Sequence, residues 1–383
     1  MLELKNNIII KFKAILRVLL LPIFTFLPSR RNSAECRNIV IVRTDGIGDF
    51  VMWAGAINVI RAHYKGKKLS YICPLNYLSL VKALGLFDEV IPVDKKQLET
   101  NPWYQIKTIR QFKKIHADVV INPVKSRLYP SDYIIKAISA KEKIGVLKGE
   151  NNRYRKDKFY TRLIDVPSNL HEMKYTEYFT QELIGGHYQH KLADFSGLAK
   201  QADSENTQPY CLIALSSTDE RKIWEIEKVC EVINSIPEKY AVALTGYGPV
   251  DEQRAKYIRN HVKAGIKLLD YVSKTTIFEL VQLVAGASFV LGNDSSTVHI
   301  AAASRVPSIC YMTGATYNSF LPYPESMDDR PYHPRVVVKK MDCFGCWYHC
   351  AKPYEGSGPL MCLKEVTVPM VLKELNALLN EVN

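Results

Sequence analysis

Two segments of the chain place carboxylates beside small or hydroxyl side chains, directly after apolar runs that read as buried strands. The first is Arg43-Thr44-Asp45-Gly46-Ile47-Gly48-Asp49, which follows the run Asn38–Arg43. Its glycines, Gly46 and Gly48, allow a tight turn and close approach to a ligand. Asp49 could take a proton from a substrate hydroxyl as a general base, with Asp45 as the competing acid. Its position also suits an ordinary helix N-cap.

The second segment is Gly292-Asn293-Asp294-Ser295-Ser296-Thr297-Val298-His299, followed by an alanine-rich helix. Ser295 and Ser296 supply hydroxyl and N–H donors where that helix begins, which is typical of a phosphate cradle. Asp294 could bind a ribose or sugar hydroxyl. The alternative is an N-cap followed by a core histidine, His299.

Two further loops follow predicted strands and carry polar groups. Ser217 and Thr218 precede Arg221 and Lys222, and a cation there would stabilise charge on a departing diphosphate. A solvated charge run is the alternative. In the second loop, Gly246 to Glu252, Asp251 could hold a ribose, or the loop is simply the start of a surface helix.

Four cysteines lie close together near the C-terminus, at Cys343, Cys346, Cys350 and Cys362. Such density suits Zn²⁺ or an iron–sulfur site. The spacing contains only one C-x2-C pair and is not that of a regular zinc ribbon. Free thiols or disulfides are the alternative, so we expect at most a structural metal here and no catalytic role for the cluster.

Alternating strand and helix patterns must position these loops, and they predict parallel sheets covered on both faces. Ten strands are expected, at Asn38–Arg43, Lys68–Cys73, Glu89–Val93, Asp118–Asn122, Lys143–Val146, Tyr210–Leu215, Tyr240–Thr245, Lys267–Leu269, Phe289–Gly292 and Pro307–Met312. We expect a helix over about 49–64, and a polar loop over 148–170 that either covers a substrate or is a disordered insertion.

The polar stretch 196–209 predicts a linker between two Rossmann-like domains, 37–195 and 210–383, the second containing the cysteine-rich segment 343–362. The fold class is therefore α/β. Ligands of open α/β sheets bind beyond the carboxyl ends of the strands, which predicts a cleft between the two domains.

The net charge of +12 favours anionic partners such as phosphorylated substrates or acidic lipids. Nucleic acid is disfavoured because no nucleic-acid-binding motif is present. Residues 1–36 are basic and apolar, with an uninterrupted apolar part too short to span a bilayer. We expect this segment to lie on the cytoplasmic face of the inner membrane as a peripheral helix, or to pack on the protein's own core.

Taken in order, the segments resemble glycosyltransferase family 9, whose heptosyltransferases build lipopolysaccharide cores. The matching elements are the turn Ile47-Gly48-Asp49, the segment Lys222-Ile223-Trp224 and the long motif from Gly292 to Ala302. A C-terminal C-x2-C-x3-C element also looks like one in many members. The resemblance covers about residues 38 to 380.

This resemblance implies a GT-B fold, with the nucleotide-sugar donor bound by the C-terminal domain and the acceptor bound by the N-terminal one, where Asp45, Gly46 and Gly48 form the acceptor-side loop. It also implies an inverting, metal-independent transfer to an anionic, lipid-linked glycan. On that model Asp49 is the base, and Lys222, Ser217 and Thr218 neutralise the leaving diphosphate. Ser295, Ser296 and His299 hold the phosphates or the sugar, Asp294 binds donor hydroxyls, and Asp251 binds the ribose.

The chain departs from the family pattern at several positions. Ser295-Ser296 replaces the usual threonine-glycine, Thr44-Asp45-Gly46 replaces a serine before the turn, and Asp251 replaces a glutamate. ADP-heptose is therefore the default donor rather than a fixed one. A sugar-nucleotide epimerase of similar architecture and a non-catalytic nucleotide-sugar-binding protein are the competing functions.

Overall fold

The computed structural model describes residues 37–127, 129–147, 157–199, 208–327, 330–352, 354 and 356–382. Contacts divide this chain into two compact units. The first comprises residues 37–45, 57–168 and 178–187, and the second comprises 46–56, 169–177 and 188–382. The predicted domain limits stay predictions. The membrane-associated segment 1–36 and most of the predicted linker (200–207) lie outside the described residues.

The first unit contains a parallel six-stranded sheet in the order β3-β2-β1-β4-β5-β6. Its central strand β1 pairs on both sides, with Val40 opposite Ser70 and Val120. Four of its five residues are buried, as expected for a parallel strand with both faces covered. The strands are β1 Asn38–Val42, β2 Lys68–Pro74, β3 Glu89–Val93, β4 His116–Ile121, β5 Ser139–Val146 and β6 Arg162–Ile164.

The second unit contains another parallel six-stranded sheet, in the order β12-β11-β10-β7-β8-β9. Read from its other edge, this order repeats that of the first sheet, and both are the Rossmann order. The strands are β7 Tyr210–Ala214, β8 Ala241–Thr245, β9 Leu268–Asp270, β10 Phe289–Asn293, β11 Ser308–Tyr311 and β12 Arg335–Val337. The predicted α/β fold class with two Rossmann-like domains is confirmed.

Helices connect most of the strands in the described chain. They are α1 Ile47–Trp53, α2 Ile57–His63, α3 Leu78–Leu84, α4 Lys95–Thr100, α5 Pro102–Phe112, α6 Tyr129–Ala137, α7 Glu172–Ile184, α8 Ile226–Ile233, α9 Pro249–His261, α10 Ile277–Ala285, α11 Ser296–Ala303, α12 Met361–Lys364 and α13 Val368–Val382. None of the helices in this part of the chain combines the length and the apolar character that a membrane span requires.

Three sequence predictions need correction. The helix expected over 49–64 is interrupted by a 3-10 turn at Ala54–Ala56. There Gly55 meets the backbone of Lys191 so closely that a β-carbon would lie 1.7 Å from its carbonyl oxygen. The loop expected over 148–170 contains β6, which pairs with β5. Finally, β6 and β12 were both missed, because in the described chain no α-helix precedes either of them directly and the alternation of strands and helices does not mark them.

Helix α1 belongs to the core of the second unit and packs on α11. Met52 lies in a buried cluster with Val298 and Ala302 of α11. The end of α1 is fixed by His190, whose Nε2 is 2.6 Å from the carbonyl oxygen of Met52. Because a carbonyl only accepts, Nε2 carries the proton. The sequence that follows β1 therefore brings the Gly48-Asp49 turn to the start of α11.

Candidate active site at the edge of the second sheet

The carboxyl ends of β7 and β10 are neighbours in the second sheet, and a buried asparagine joins the chain segments that follow them. Asn293 donates from its amide nitrogen to the carbonyl oxygen of Leu215 at 3.1 Å. Its amide oxygen accepts from the backbone N–H of Trp224 at 2.9 Å. The indole of Trp224 is buried and donates to the carbonyl oxygen of Val366. These bonds fix the loop that carries Lys222.

Lys222 and Asp294 form the central ion pair of the site, with Nζ 2.7 Å from Oδ2. The Asp294 side chain is 4% exposed and that of Lys222 is 18% exposed. Thr316 also donates to Asp294 Oδ2, at 3.4 Å. Burial lowers the pKa of Lys222, but the Asp294 carboxylate, together with Tyr348, outweighs burial and holds the pKa above its ordinary value. Lys222 is therefore a fixed cation.

A second cation lies beside Lys222. Arg221 Nε is 2.9 Å from Asp219 Oδ1, and its Nη2 is 2.6 Å from Asp219 Oδ2. Such two-point pairing holds the plane of the guanidinium. Ser217 Oγ accepts from the backbone of Asp219 at 3.5 Å, and Thr218 is exposed in the same loop. The loop thus presents two cations and two hydroxyls beyond the end of β7.

The N-terminus of α11 lies beside this loop, because Asp294 immediately precedes the N-cap residue Ser295. Ser295 has extended backbone and makes no side-chain capping bond. Its Oγ is buried, with no hydrogen-bond partner in the part of the chain that the structure describes. Free backbone N–H groups at the start of a helix favour anions. A phosphate oxygen here would satisfy both the hydroxyl and the N–H groups that follow.

His299 lies on α11 and is fully enclosed. Its Nδ1 is 2.7 Å from the hydroxyl of Tyr323. Burial lowers the pKa of His299 to about 4, although the nearby Asp294 carboxylate opposes this shift. The imidazole is therefore neutral near pH 7, and it can donate or accept one hydrogen bond but brings no charge.

The first turn of α1 lies against the same helix. A β-carbon at Gly48 would lie 3.3 Å from His299 Cδ2 and 3.6 Å from Ser296 Cα. The next residue, Asp49, is partly exposed, and its Oδ2 accepts from the backbone N–H of Gly46 at 3.0 Å. Asp49 is therefore the third residue of α1, and the N-cap is Gly46, so the expectation that Asp49 is an ordinary N-cap is wrong. Asp49 directly follows Gly48, the residue that approaches Ser296 and His299 of α11.

Asp45 and Asp251 each have partners of their own. Asp45 is paired with the buried guanidinium of Arg43 in the first unit. Asp251, which is 4% exposed, accepts from Ser216 Oγ, from the backbone N–H of Tyr247 at 3.0 Å, and from Arg254 at 2.9 Å. Asp251 therefore fixes the loop after β8, one strand away from Lys222.

The four cysteines line one small pocket, together with Met341, Phe344 and Leu360. Cys362 is buried, and its sulfur accepts from the backbone N–H of Gly314 at 3.3 Å. Burial raises the pKa of this thiol. Within the described chain no three His, Cys, Asp or Glu side chains are already arranged to hold a metal ion.

The structure thus gathers Gly48, Lys222, Asp294, Ser295, Ser296 and His299 around the start of α11. Sequence reasoning assigned no role to Asn293, Thr316 or Tyr323, although all three hold members of this group. Asn293 stood inside a recognised motif and could have been found there. Thr316 and Tyr323 follow β11 in an irregular stretch and carry no sequence signal.

A family model described as glycosyltransferase family 9 (heptosyltransferase) matches residues 106–338, more than half of the chain. The chain belongs to glycosyltransferase family 9. The resemblance predicted from the motifs is therefore confirmed, and this family 9 chain is a glycosyltransferase.

Individual relatives of this family 9 chain are distant. Lipopolysaccharide heptosyltransferase 1 of Pseudomonas aeruginosa is 19% identical over 280 residues, which cover 71% of this chain and 77% of that protein. The structure of E. coli heptosyltransferase WaaC with ADP-2-deoxy-2-fluoro heptose has a TM-score of 0.67 at 18% identity, covering 89% of this chain and 99% of that one.

A third relative is described as dodecameric and iron-containing. This heptosyltransferase, TibC of E. coli, was solved in complex with ADP-D-beta-D-heptose. It has a TM-score of 0.54 at 17% identity and covers 91% of this chain and 77% of that one. At such identities these structures establish the shared fold.

Proposed function

We propose that the chain transfers a heptose from ADP-heptose, with inversion, to a lipopolysaccharide core or another anionic, lipid-linked glycan. The observation that carries this proposal is the Lys222–Asp294 ion pair at the N-terminus of α11. It joins a fixed cation, a carboxylate and helix N–H groups at one point. A nucleotide diphosphate with an attached sugar needs these three kinds of group. The ADP-containing ligands of the family relatives support ADP as the nucleotide.

In this proposal the leaving diphosphate is stabilised by charge that is already in place. Lys222 and Arg221 approach it from the loop after β7, and Ser295 and Ser296 approach it from α11. Preorganised cations and N–H groups lower the barrier because they need not reorganise when the bond to the sugar breaks. Asp294, held by Lys222, accepts from a sugar hydroxyl. Ser217 and Thr218 line the same loop as additional donors.

Asp49 is the proposed general base. Its carboxylate is partly exposed, and its neighbour Gly48 contacts Ser296 and His299. It would take the proton from the acceptor hydroxyl while that oxygen attacks the anomeric carbon. The neutral imidazole of His299 would contribute a hydrogen bond to the sugar or a phosphate rather than charge. We propose that Asp251 contributes to ribose binding because it holds the loop at Tyr247 in place.

The acceptor and the location of the enzyme are further parts of the proposal. The net charge of +12 suits an anionic glycan and an acidic membrane surface. We propose that residues 1–36 place the protein on the cytoplasmic face of the inner membrane. Binding to vesicles with and without anionic lipid, compared between the full chain and a chain lacking residues 1–36, tests this part.

No metal enters the proposed transfer. The four cysteines have the soft donor set that zinc or iron prefers, but they are not already arranged around a metal position. We propose that they have a structural role, in which a metal would serve only to hold residues 343–362. Metal analysis of the purified protein, with activity measured before and after chelation, tests this proposal. Loss of transfer with retained folding after chelation would contradict it.

Thermal-shift measurements with ADP-, GDP- and UDP-sugars give the first test, because a ligand that binds only the folded state raises the melting temperature. We expect the ADP-sugar to give the largest shift. Incubation with the donor then separates the alternatives. Product formed without an acceptor indicates an epimerase. Tight binding without turnover on any lipid-linked glycan indicates a non-catalytic protein.

A further inference from the structure

The cysteine-rich segment 343–362 places one aromatic ring against both cations of the Lys222 loop. The centroid of the Tyr348 ring lies 4.4 Å from the guanidinium carbon of Arg221 and 5.9 Å from Lys222 Nζ. A cation at such distances is attracted to the ring face. The ring therefore contacts the side chains that the proposed function assigns to the diphosphate.

The backbone around this ring is held in an uncommon conformation. Trp347 and Tyr348 have φ values of 48° and 66°, in the left-handed region that non-glycine residues rarely adopt. Such a conformation is strained and persists only where surrounding contacts enforce it. Two consecutive residues of this kind indicate that the placement of the ring is fixed by the fold.

The contacts that enforce this conformation are present on both sides of the turn. Gly345 donates to the carbonyl oxygen of Gly314 at 2.8 Å, and Trp347 donates to that of Ala315 at 3.0 Å. Farther along, Leu360 donates to the carbonyl oxygen of Arg221 at 3.1 Å. The segment therefore holds Arg221 twice, by its backbone and by its side chain.

Arg221 is consequently restrained on two sides. Asp219 pairs with the edge of its guanidinium, and Tyr348 covers its face. A free arginine loses side-chain freedom when it binds a phosphate, and that loss weakens affinity. Here the restraint is already present in the fold, and the same ring extends to Lys222.

We propose that Tyr348 is a positioning residue of the donor site, which holds Arg221 and Lys222 in the orientation that meets a nucleotide diphosphate. This inference rests on the proposed function. In this proposal residues 343–362 have a role in donor binding, and that role does not depend on whether the cysteines hold a metal. Tyr348 acts through the two cations and takes no part in the chemical step.

The test measures ADP binding by calorimetry for Tyr348→Leu and Tyr348→Phe, with Trp347→Ala as the control from the same turn. Removing the ring should raise the Kd for ADP about three- to tenfold. It should raise the donor KM similarly and leave kcat at saturating donor within twofold. Phenylalanine keeps the ring face and should stay within twofold of wild type, as should the control.

A double-mutant cycle tests whether Tyr348 affects ADP binding through Arg221. In an Arg221→Ala background, Tyr348→Leu should lose most of its effect on the Kd for ADP. If Tyr348→Leu does not fold, Arg221→Lys tests the contact from the other side, because it keeps the charge but loses the planar stacking. It should weaken ADP binding three- to tenfold.

An unchanged Kd for Tyr348→Leu, or for Arg221→Lys where the leucine variant does not fold, overturns the inference. The inference is also overturned if Tyr348→Phe and Tyr348→Leu lose equal affinity for ADP. It is overturned as well if Tyr348→Leu raises the Kd by the same factor in the Arg221→Ala background as in the wild type. These outcomes leave the proposed function intact. Failure of the wild type to bind ADP, GDP or UDP is a different result, and it overturns the proposed function together with the inference.

Discussion

Lys222 Nζ lies 2.7 Å from Asp294 Oδ2, although 72 residues separate the two positions in the chain. The pair joins the loop after β7 to the turn after β10, and both side chains are largely buried. It therefore has two roles that can be separated by experiment. In the fold, Lys222 compensates the buried charge of Asp294, and in the proposed reaction it provides the cation for the leaving group.

Removing Lys222 alone should destabilise the protein. Lys222→Met leaves the buried Asp294 carboxylate without its cation, which should lower the free energy of unfolding by about 2–4 kcal/mol. Urea unfolding measures this loss. The double variant Lys222→Met/Asp294→Asn removes both charges and should recover most of the stability without recovering transfer. A single variant as stable as the wild type would show that the pair contributes little to folding.

Ser295 offers a comparison within one helix. Its buried Oγ has no partner among the described residues, and the same holds for Ser304 at the other end of α11. If a phosphate oxygen accepts a hydrogen bond from Ser295 Oγ, then Ser295→Ala should raise the Kd for ADP about fivefold. A change of that size corresponds to roughly one lost hydrogen bond. The Ser304→Ala control should leave the Kd unchanged. Equal effects in both variants would place the phosphate elsewhere.

Two histidines predict how stability depends on pH. Burial lowers the pKa of His190 and of His299 to about 4, from an ordinary value of 6.5. Between these values the unfolded chain binds more protons than the folded one, so stability rises with pH across this window. The stability that the two neutral histidines contribute is fully present above about pH 6.5 and is lost as the pH falls toward 4.

Urea unfolding at pH 7.5 and pH 5 measures this dependence. Each histidine should contribute a loss on the order of 2 kcal/mol at pH 5. The exposed His187 provides the control, because His187→Gln should leave the pH dependence as it is. A stability that is flat between pH 7.5 and pH 5 would mean that neither histidine is buried in its neutral form.

The close approach at Gly55 predicts a residue that tolerates no side chain. A β-carbon there would lie 1.7 Å from the backbone oxygen of Lys191, so Gly55→Ala requires a backbone shift. We expect the Gly55→Ala variant to lose several kcal/mol in its free energy of unfolding, or to fail to fold. Gly197→Ala is the matched control, since its β-carbon would meet nothing within 4 Å. Comparable melting temperatures for the two variants would contradict the packing of the 3-10 turn at Gly55 against Lys191.

Much of the fold followed from the sequence because parallel strands are long apolar runs that alternate with helices. Ten of the twelve strands in the described chain were predicted, including the three-residue β9, and the loops after β7 and β10 were expected at one sheet edge. The missed strands, β6 and β12, have three residues each at the outer edges of their sheets. In the described chain no α-helix precedes either of them directly, so the alternation of strands and helices does not mark them.

The site was predictable only where a residue stood in a motif beside a strand. Lys222 and Asp294 met that condition. Tyr348 did not, because its position depends on two left-handed residues and on bonds to Gly314 and Ala315. Such contacts arise from tertiary structure, and no local sequence pattern predicts them.

The central claim is that Asp49 removes the acceptor's proton while the donor is held around Lys222. Asparagine keeps an oxygen for the capping bond to Gly46 but is not a base. The most direct measurement is therefore heptose transfer from ADP-heptose to a lipopolysaccharide-core acceptor by wild type and Asp49→Asn, with ADP affinity measured on both. We predict a loss of at least a hundredfold in kcat with ADP affinity within twofold. Full turnover by the asparagine variant would contradict the account.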